Sequence, residues 1–406
     1  MDNVQILSDW SAQVEAELTK NILPFWMNRV MDRQRGGFYG AISNDLVIDR
    51  NVRRGALLSS RILWTFSAAY KRYRRPEFLA MAYHAYDDLK TNFIDQDYGG
   101  LFWEIEADGT VSNERKQVYG QAFGIYALVE FYRATNELAA LGKSVNIFIL
   151  VDHYGHDPLH GGYLEALTRR WQPEQDVRLS ARDRNEPKSM NTHLHLMEAL
   201  TNLRRVWPDE RVTSRHRELI ELMMRRIVDP QTAHMTLFFD EAWQPRSTEI
   251  SYGHDIEASW LLVEAAEVDG DPTLIQEAKA LALRMAQAVY EQALDTDGGL
   301  MYEAGPHGWI DDSKEWWPQA EAVVGFLNAY QISGQPHFLD AALKSWAFIQ
   351  QHLIDRQHGE WFRGVLRDGT LKANELKVSF WKCPYHNGRM CMEVIDRLAA
   401  LRNRSG

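Results

Sequence analysis

Apolar residues recur at three- and four-residue spacing through most of this chain, and short alternating runs separate the recurrences. "RILWTFSAAYKRYRRPEFLAMAYHAYDDLKTNFID", from Arg61, holds two helix-period runs divided by a turn with a proline. The stretches from Asp255 and from Gln319, each running to an Ala-Leu-Asp or Leu-Ile-Asp end, have the same design. A proline after the turn suits the first turn of the second helix. Each helix pair leads into a corner of the form D-x-x-x-G-G: DRQRGGF from Asp32, DQDYGGL from Asp95 and DPLHGGY from Asp157. DRQHGEW from Asp355 keeps only the first glycine. DTDGGLM from Asp295 is one residue shorter, and DPQTAHM from Asp229 has lost both glycines. Successive corner aspartates are 60 to 72 residues apart, which makes six units. After the corners, "LFWEIEADGTVS" and "WFRGVLRDGTLK" place Asp-Gly between two candidate strands, a hairpin signal.

A helical hairpin cannot bury its apolar face alone, so six of them close on one another. The pattern predicts an all-α fold, an (α/α)6 barrel with alternate helices inside and outside. Short β-hairpins and the N-terminal ends of the inner helices share one mouth. No Pro-, Gly- or Ser-rich linker interrupts the units, so a single domain over residues 1–406 is expected.

Composition narrows the partners. The chain carries a net charge of −11 and has no basic tract, so nucleic acid and anionic membranes are poor partners. "MDNVQILSDW" lacks the basic and apolar regions of a signal peptide, and a cytoplasmic location is expected. Cys383 and Cys391 form no C-x-x-C pair, which disfavours structural zinc. The 14 Trp, 16 Tyr and 16 Phe suit a large core and also flat platforms for sugar faces.

Six segments begin the expected inner helices: "SSRILWTF", "KQVYGQAFG", "MNTHLHLME", "YGHDIEASW", "KEWWPQAEA" and "KCPYHNGRM". They carry Arg61, Tyr119, Asn191 with His193 and His195, His254 with Glu257, Trp316 and Trp317 with Glu321, and His386 with Trp381 just ahead of it. Singly, each is more often a satisfied structural residue. One polar or aromatic group per unit points to a shared axis. His193 and His195 point about 200° apart on a helix, so only one faces that axis. Asn191 and His195 share a face, which favours His195 and leaves His193 to packing. His254 and Glu257 also share a face, and a carboxylate beside an imidazole raises its basicity. A metal set of His195, His254, Glu257 and His386 is the weaker reading, because no H-E-x-x-H is present.

"MNTHLHLMEALTNL", "GHDIEASWLL", "WWPQAEAVVGFLNAYQ" and "WKCPYHNGRMCMEV" resemble the cellobiose 2-epimerase group of the N-acylglucosamine 2-epimerase superfamily, in order and spacing through essentially the whole chain. The resemblance implies an (α/α)6 barrel and epimerisation at C2 of the reducing-end sugar of a β-1,4-linked disaccharide, without metal or nucleotide. It implies that His254 and His386 are the acid–base pair at C2 and that His195 helps in ring opening and proton transfer. Glu257 would orient His254, and Arg61 would be the cation near O1 and O2. Tyr119, Asp183, Asn191 and Glu321 would hold sugar hydroxyls, with Trp317 and Trp381 as stacking platforms. The division of ring opening among the three histidines stays open, as does the choice among cellobiose, mannobiose and lactose. Three other readings remain: a monosaccharide 2-epimerase or mannose isomerase of the same superfamily, a glycoside hydrolase using Glu257 and Glu321, and a non-catalytic sugar-binding barrel.

Overall fold

The computed structural model describes residues 3–404. Residues 1–2 and 405–406 of the expected 1–406 domain lie outside the described residues. Six inner helices run Ala56–Tyr73, Val118–Thr135, Met190–Arg204, Tyr252–Asp269, Trp316–Ser333 and Tyr385–Arg404. Each packs on its neighbours in this order, and the last closes on the first. Outside them lie residues 3–30, 76–93, 138–155, 210–227, 272–292 and 336–353, each against an inner helix. This is the (α/α)6 barrel expected from the repeat. Four inner helices end on a left-handed residue, Arg74 (φ 55°), Asn136 (61°), Gly270 (87°) and Gly334 (70°). Pro76, Pro272 and Pro336 then open the outer helices, as expected.

Two-residue strands stitch the mouth. The residues just before each inner helix pair with the strand that follows the next corner: Arg54–Gly55 with Glu104–Ile105, Lys116–Gln117 with Ala166–Leu167, and Lys188–Ser189 with Phe238–Phe239. The next two units repeat this, and a bridge from Ile42 to Val378 joins the first unit to the last. The expected Asp-Gly hairpins form at Glu104–Ile105 with Val111–Asn113 and at Val365 with Leu371.

The corners fix the height of each inner helix. A corner aspartate accepts hydrogen bonds from the backbone N–H groups two and three residues on, as Asp95 does from Asp97 (3.0 Å) and Tyr98 (3.2 Å). It also meets a buried lysine two residues before the next inner helix: Lys116 with Asp95 (2.9 Å), Lys188 with Asp157 (2.7 Å) and Lys314 with Asp295 (3.1 Å). The fourth residue of the inner helix then reaches the residue after the corner. Gln121 holds both backbone groups of Leu101, His193 accepts from Tyr163 N–H (2.9 Å), and Gln319 holds both groups of Leu300. The fourth unit lacks the glycines and has Ile250 where the lysine would be. There Asp255, again fourth in its helix, accepts from Met235 N–H (2.9 Å) and from the His234 ring (2.7 Å). The break in the repeat is therefore a substitution of one buried polar pin for another.

His193 is locked as one neutral tautomer, since its Nδ1–H donates to Ser189 O (2.6 Å) while Nε2 accepts. Burial holds it down at about 4. Burial, with Arg204 alongside, holds His216 at about 3.

Two outcomes are expected. Lys188 donates to Asp157, Gly161 O and Glu241 O, so Lys188→Met removes the cation from a half-buried carboxylate, which keeps its backbone N–H donors, and a donor from each of two carbonyls. Urea unfolding should register a loss of about 1–3 kcal/mol. The two histidines have folded pKa values below the unfolded value, so their stability is complete above about pH 6.5 and is lost as pH falls toward 4 and 3. Each contributes a loss of up to about 2 kcal/mol between pH 7 and 5. His216→Gln should shrink that difference in paired urea titrations.

Candidate active site

Counting from the helix starts, the sixth residues are Arg61, Phe123, His195, Glu257 and Glu321, and Arg389 is fifth in the last helix. These six meet near the axis. The Arg61 guanidinium lies 4.3 Å from the Phe123 ring centre, and Phe123 lies 4.9 Å from the His195 ring. Arg389 Nη2 donates to Glu257 (2.5 Å) and Glu321 (2.7 Å), and Nη1 donates to Glu198 and Tyr385 Oη. All of these charged groups are buried.

Three imidazoles stand on this layer. His195 Nδ1 bonds Glu198 Oε2 at 2.9 Å, and His386 Nδ1 bonds Glu321 Oε1 at 2.7 Å. An ionised carboxylate only accepts, so Nδ1 carries the proton and Nε2 keeps its lone pair. His254 Nδ1 pairs with Ser251 Oγ at 2.7 Å. Its ring lies 4.6 Å from Trp317, whose ring is 5.5 Å from that of His386. Tyr119 lies edge-on to His195 at 5.2 Å and accepts from Arg61 Nη2 at 2.8 Å. Trp381 is 6.2 Å from Tyr119, and its carbonyl accepts from Arg61. Ten of the eleven expected site residues thus gather at the inner-helix starts or in the segment just ahead of the last one. Asp183, the eleventh, belongs to the loop between Leu167 and Lys188.

That loop roofs a cavity of about 630 Å3, in the range of small-molecule sites. Asp183, Asn191, Ser251, His254 and Tyr302 are among its lining residues. Asn191 Oδ1 is buried without a protein partner. Glu165 also lines it, pushed up to about 7 by burial, and accepts from Ser189 N–H and Thr192 Oγ1 (both 2.7 Å). Two open grooves of about 560 and 740 Å3 lie against outer helices and contain none of the three histidines.

Two expectations are corrected. Glu257 does not orient His254: Ser251 does, and Glu257 faces Arg389, with Oε1 3.9 Å from His386 Nδ1. His254 is third in its helix, at the mouth, whereas Glu257 points to the axis. Glu321 is not free for a sugar hydroxyl, because Oε1 takes His386 and Arg389 and Oε2 takes Trp260 Nε1 (3.0 Å). Glu198, Arg389 and Ser251 escaped the sequence reading. Aligning the six segments on Arg54, Lys116, Lys188, Ile250, Lys314 and Lys382 and reading seven residues on would have exposed Arg389.

Electrostatics follow from burial. Burial, then the His195, His386 and Arg61 charges, hold His254 down at about 3. Burial, with Arg61 and Arg389, holds His386 well below its usual value. Burial lowers His195, which Glu198 partly opposes. Burial raises Glu198, but Arg389 and His195 outweigh it and keep it at about 2. Burial and the Glu321 charge push Glu257 well up. Glu257, Glu321 and His386 offer ligand atoms within 4.8 Å of one another. Arg389 already bonds both carboxylates, so a cation there would have to displace a guanidinium.

Comparison with known proteins agrees with this architecture. The family model described as N-acylglucosamine 2-epimerase matches residues 37–387. A cellobiose 2-epimerase of Bacteroides fragilis is 45% identical over 384 residues, covering 94% of this chain and 98% of that protein. The N-acylglucosamine 2-epimerase of Mus musculus is 24% identical, covering 97% of this chain and 94% of that protein. The solved structure of cellobiose 2-epimerase from Bacillus thermoamylovorans B4167 superposes with a TM-score of 0.92 at 37% identity, over 96% of this chain and 100% of that one. With its helical barrel, its axial layer and these full-length likenesses, the chain belongs to the N-acylglucosamine 2-epimerase superfamily, in the cellobiose 2-epimerase group.

Proposed function

We propose that this chain is a carbohydrate epimerase that inverts C2 of the reducing-end sugar of β-1,4-linked disaccharides, interconverting glucose and mannose ends. The observation that carries the reading is the set of three imidazoles held together over one buried charge cluster, two of them with Nδ1 on a carboxylate. The likeness to cellobiose 2-epimerases over nearly the full length supports the substrate class. The substrate is a small neutral disaccharide. No helix among the described residues is long and apolar enough to cross a membrane, and a single catalytic domain working in the cytoplasm suits the reading.

The chemistry asks for these groups. Ring opening needs a base for the O1 hydroxyl and an acid for the ring oxygen. The aldehyde then acidifies the C2 proton, a base takes it, and an enediolate results. Inversion returns a proton to the opposite face. His254, held at about 3, is a free base at neutral pH. Arg61 and Arg389 answer two of the three carboxylates Glu198, Glu257 and Glu321, and burial with the Glu321 charge pushes Glu257 well up. Glu257 Oε1 lies 3.9 Å from His386 Nδ1, which already donates to Glu321, so the acid form of His386 carries its second proton on Nε2. His254 and His386 therefore form the pair at C2, with His195 serving the sugar oxygens. Arg61 stabilises the enediolate oxygens as a permanent cation. Tyr119, Asn191 and Asp183 receive sugar hydroxyls, and Trp317 and Trp381 cover the sugar faces and exclude water. A hydrolase with Glu257 and Glu321 is the poorer fit, since both carboxylates are buried on the same guanidinium.

Proton NMR with cellobiose in D2O, with no metal added, should show a mannose-type reducing end with deuterium at C2. His254→Ala and His386→Ala should abolish both signals. Turnover of mannose or N-acetylmannosamine alone moves the substrate to a monosaccharide, and free glucose overturns the epimerase reading. Arg389→Lys cannot reach Glu198, Glu257 and Glu321 together. We expect kcat per folded molecule to fall about 10- to 100-fold, as when partners of reacting groups are removed elsewhere.

A further inference from the structure

The second glycine of the corner has a clear use in the first three units. Gly37, Gly100 and Gly162 have φ of 66°, 69° and 75°, the left-handed region. A Cβ on each would run into neighbouring side chains: Arg54 and Asp88 at 2.0–2.6 Å, Trp171 and Gln121 at 2.6–2.9 Å, and Trp243 and His193 at 2.5–2.7 Å. In the sixth unit this residue is Glu360. It keeps the same backbone, at φ 62°, which costs a non-glycine residue energy. Its side chain fills the space itself and is fully buried.

The Glu360 carboxylate has three donors. Trp26 Nε1, from the outer helical run of residues 3–30, donates to Oε2 at 2.7 Å. Lys382 Nζ (2.8 Å) and Asn387 Nδ2 (2.6 Å) donate to Oε1. Lys382 follows Trp381 in the chain, and Asn387 follows His386. In three other units the lysine ahead of the inner helix pairs with the corner aspartate. In this unit Lys377 takes the corner Asp355, so that Lys382 turns to Glu360 instead. The strained glutamate is thus an added anchor, present where the segment before the inner helix carries a site tryptophan.

We propose that Glu360 is a positioning residue. It clamps the segment carrying Trp381 and the first turn carrying His386 to the outer wall of the barrel, fixing both groups over the sugar. This rests on the epimerase reading for its meaning. The geometry of the clamp does not.

The test uses the full chain in three forms: wild type, Glu360→Gln, and the double variant Glu360→Gly with Lys382→Met. Glutamine keeps the volume and one accepting oxygen but leaves Lys382 without its counter-ion. The double variant removes both buried charges together and restores the glycine that the repeat uses elsewhere, so it keeps the fold testable. Each form is assayed for kcat and KM on cellobiose, for melting temperature, and for backbone hydrogen exchange. We expect both variants to melt as cooperative folded proteins, with kcat lowered about tenfold or more, because small misplacements at reacting groups cost that much. Exchange should quicken across residues 377–388 and stay unchanged in the other inner-helix starts. A folded double variant with native kcat and native exchange overturns the proposal. So does a loss of kcat that only follows the folded fraction. If the wild type turns over no disaccharide, the epimerase reading fails, and the exchange pattern alone still decides whether Glu360 clamps this segment.

Discussion

One buried guanidinium organises the centre of this barrel. Arg389 lies among Glu198, Glu257, Glu321 and Tyr385, contributed by four different inner helices. Three carboxylates packed this closely without a cation would repel one another in a low-dielectric interior. With it, Glu198 keeps Oε2 for His195 while Glu321 shares Oε1 between Arg389 and His386, and the rings of His195 and His386 are fixed in tautomer and direction. Arg389 leaves two of the three charges unmatched, Arg61 answers a second, and burial with the Glu321 charge pushes Glu257 well up beneath the imidazoles.

Precision at the axis depends on where each inner helix begins. In four of these helices the fourth residue is tied to the preceding corner, and two-residue strands fix the segment just before the helix. Residues two positions further along then arrive at a common height. The ring itself is closed by the N-terminal outer run, where Trp26 donates to Glu360 and Trp361 donates to Glu17 (both 2.7 Å). These reciprocal Trp–Glu bonds join the first and last units of a repeat that would otherwise have two free edges.

The contrast between two pairs shows how far local spacing carries. His195 and Glu198 are three residues apart on one helix, and they bond. His254 and Glu257 have the same spacing, and they do not. His195 is sixth in its helix and Glu198 lies a turn deeper, so both look onto Arg389. His254 is third, at the mouth, and its nearest partner is Ser251, the residue before the helix. Glu257 answers to the charge across the axis instead. Spacing sets which residues could meet, and the stronger partner decides which do.

The sequence by itself determined the six-unit period, the alternation of inner and outer helices, the hairpins at the mouth, and the segments from which His195, His254, His386, Arg61 and the tryptophans come. These follow from local rules: apolar periodicity, proline after the turn, and glycine at left-handed corners. Tertiary structure alone decided which carboxylate serves which imidazole, that Arg389 lies between three of them, and that Glu360 occupies a glycine's place. Apart from His195 with Glu198, these are contacts between residues 27 to 334 positions apart. Only closure of the ring brings such groups together, and only then do burial and charge choose their partners.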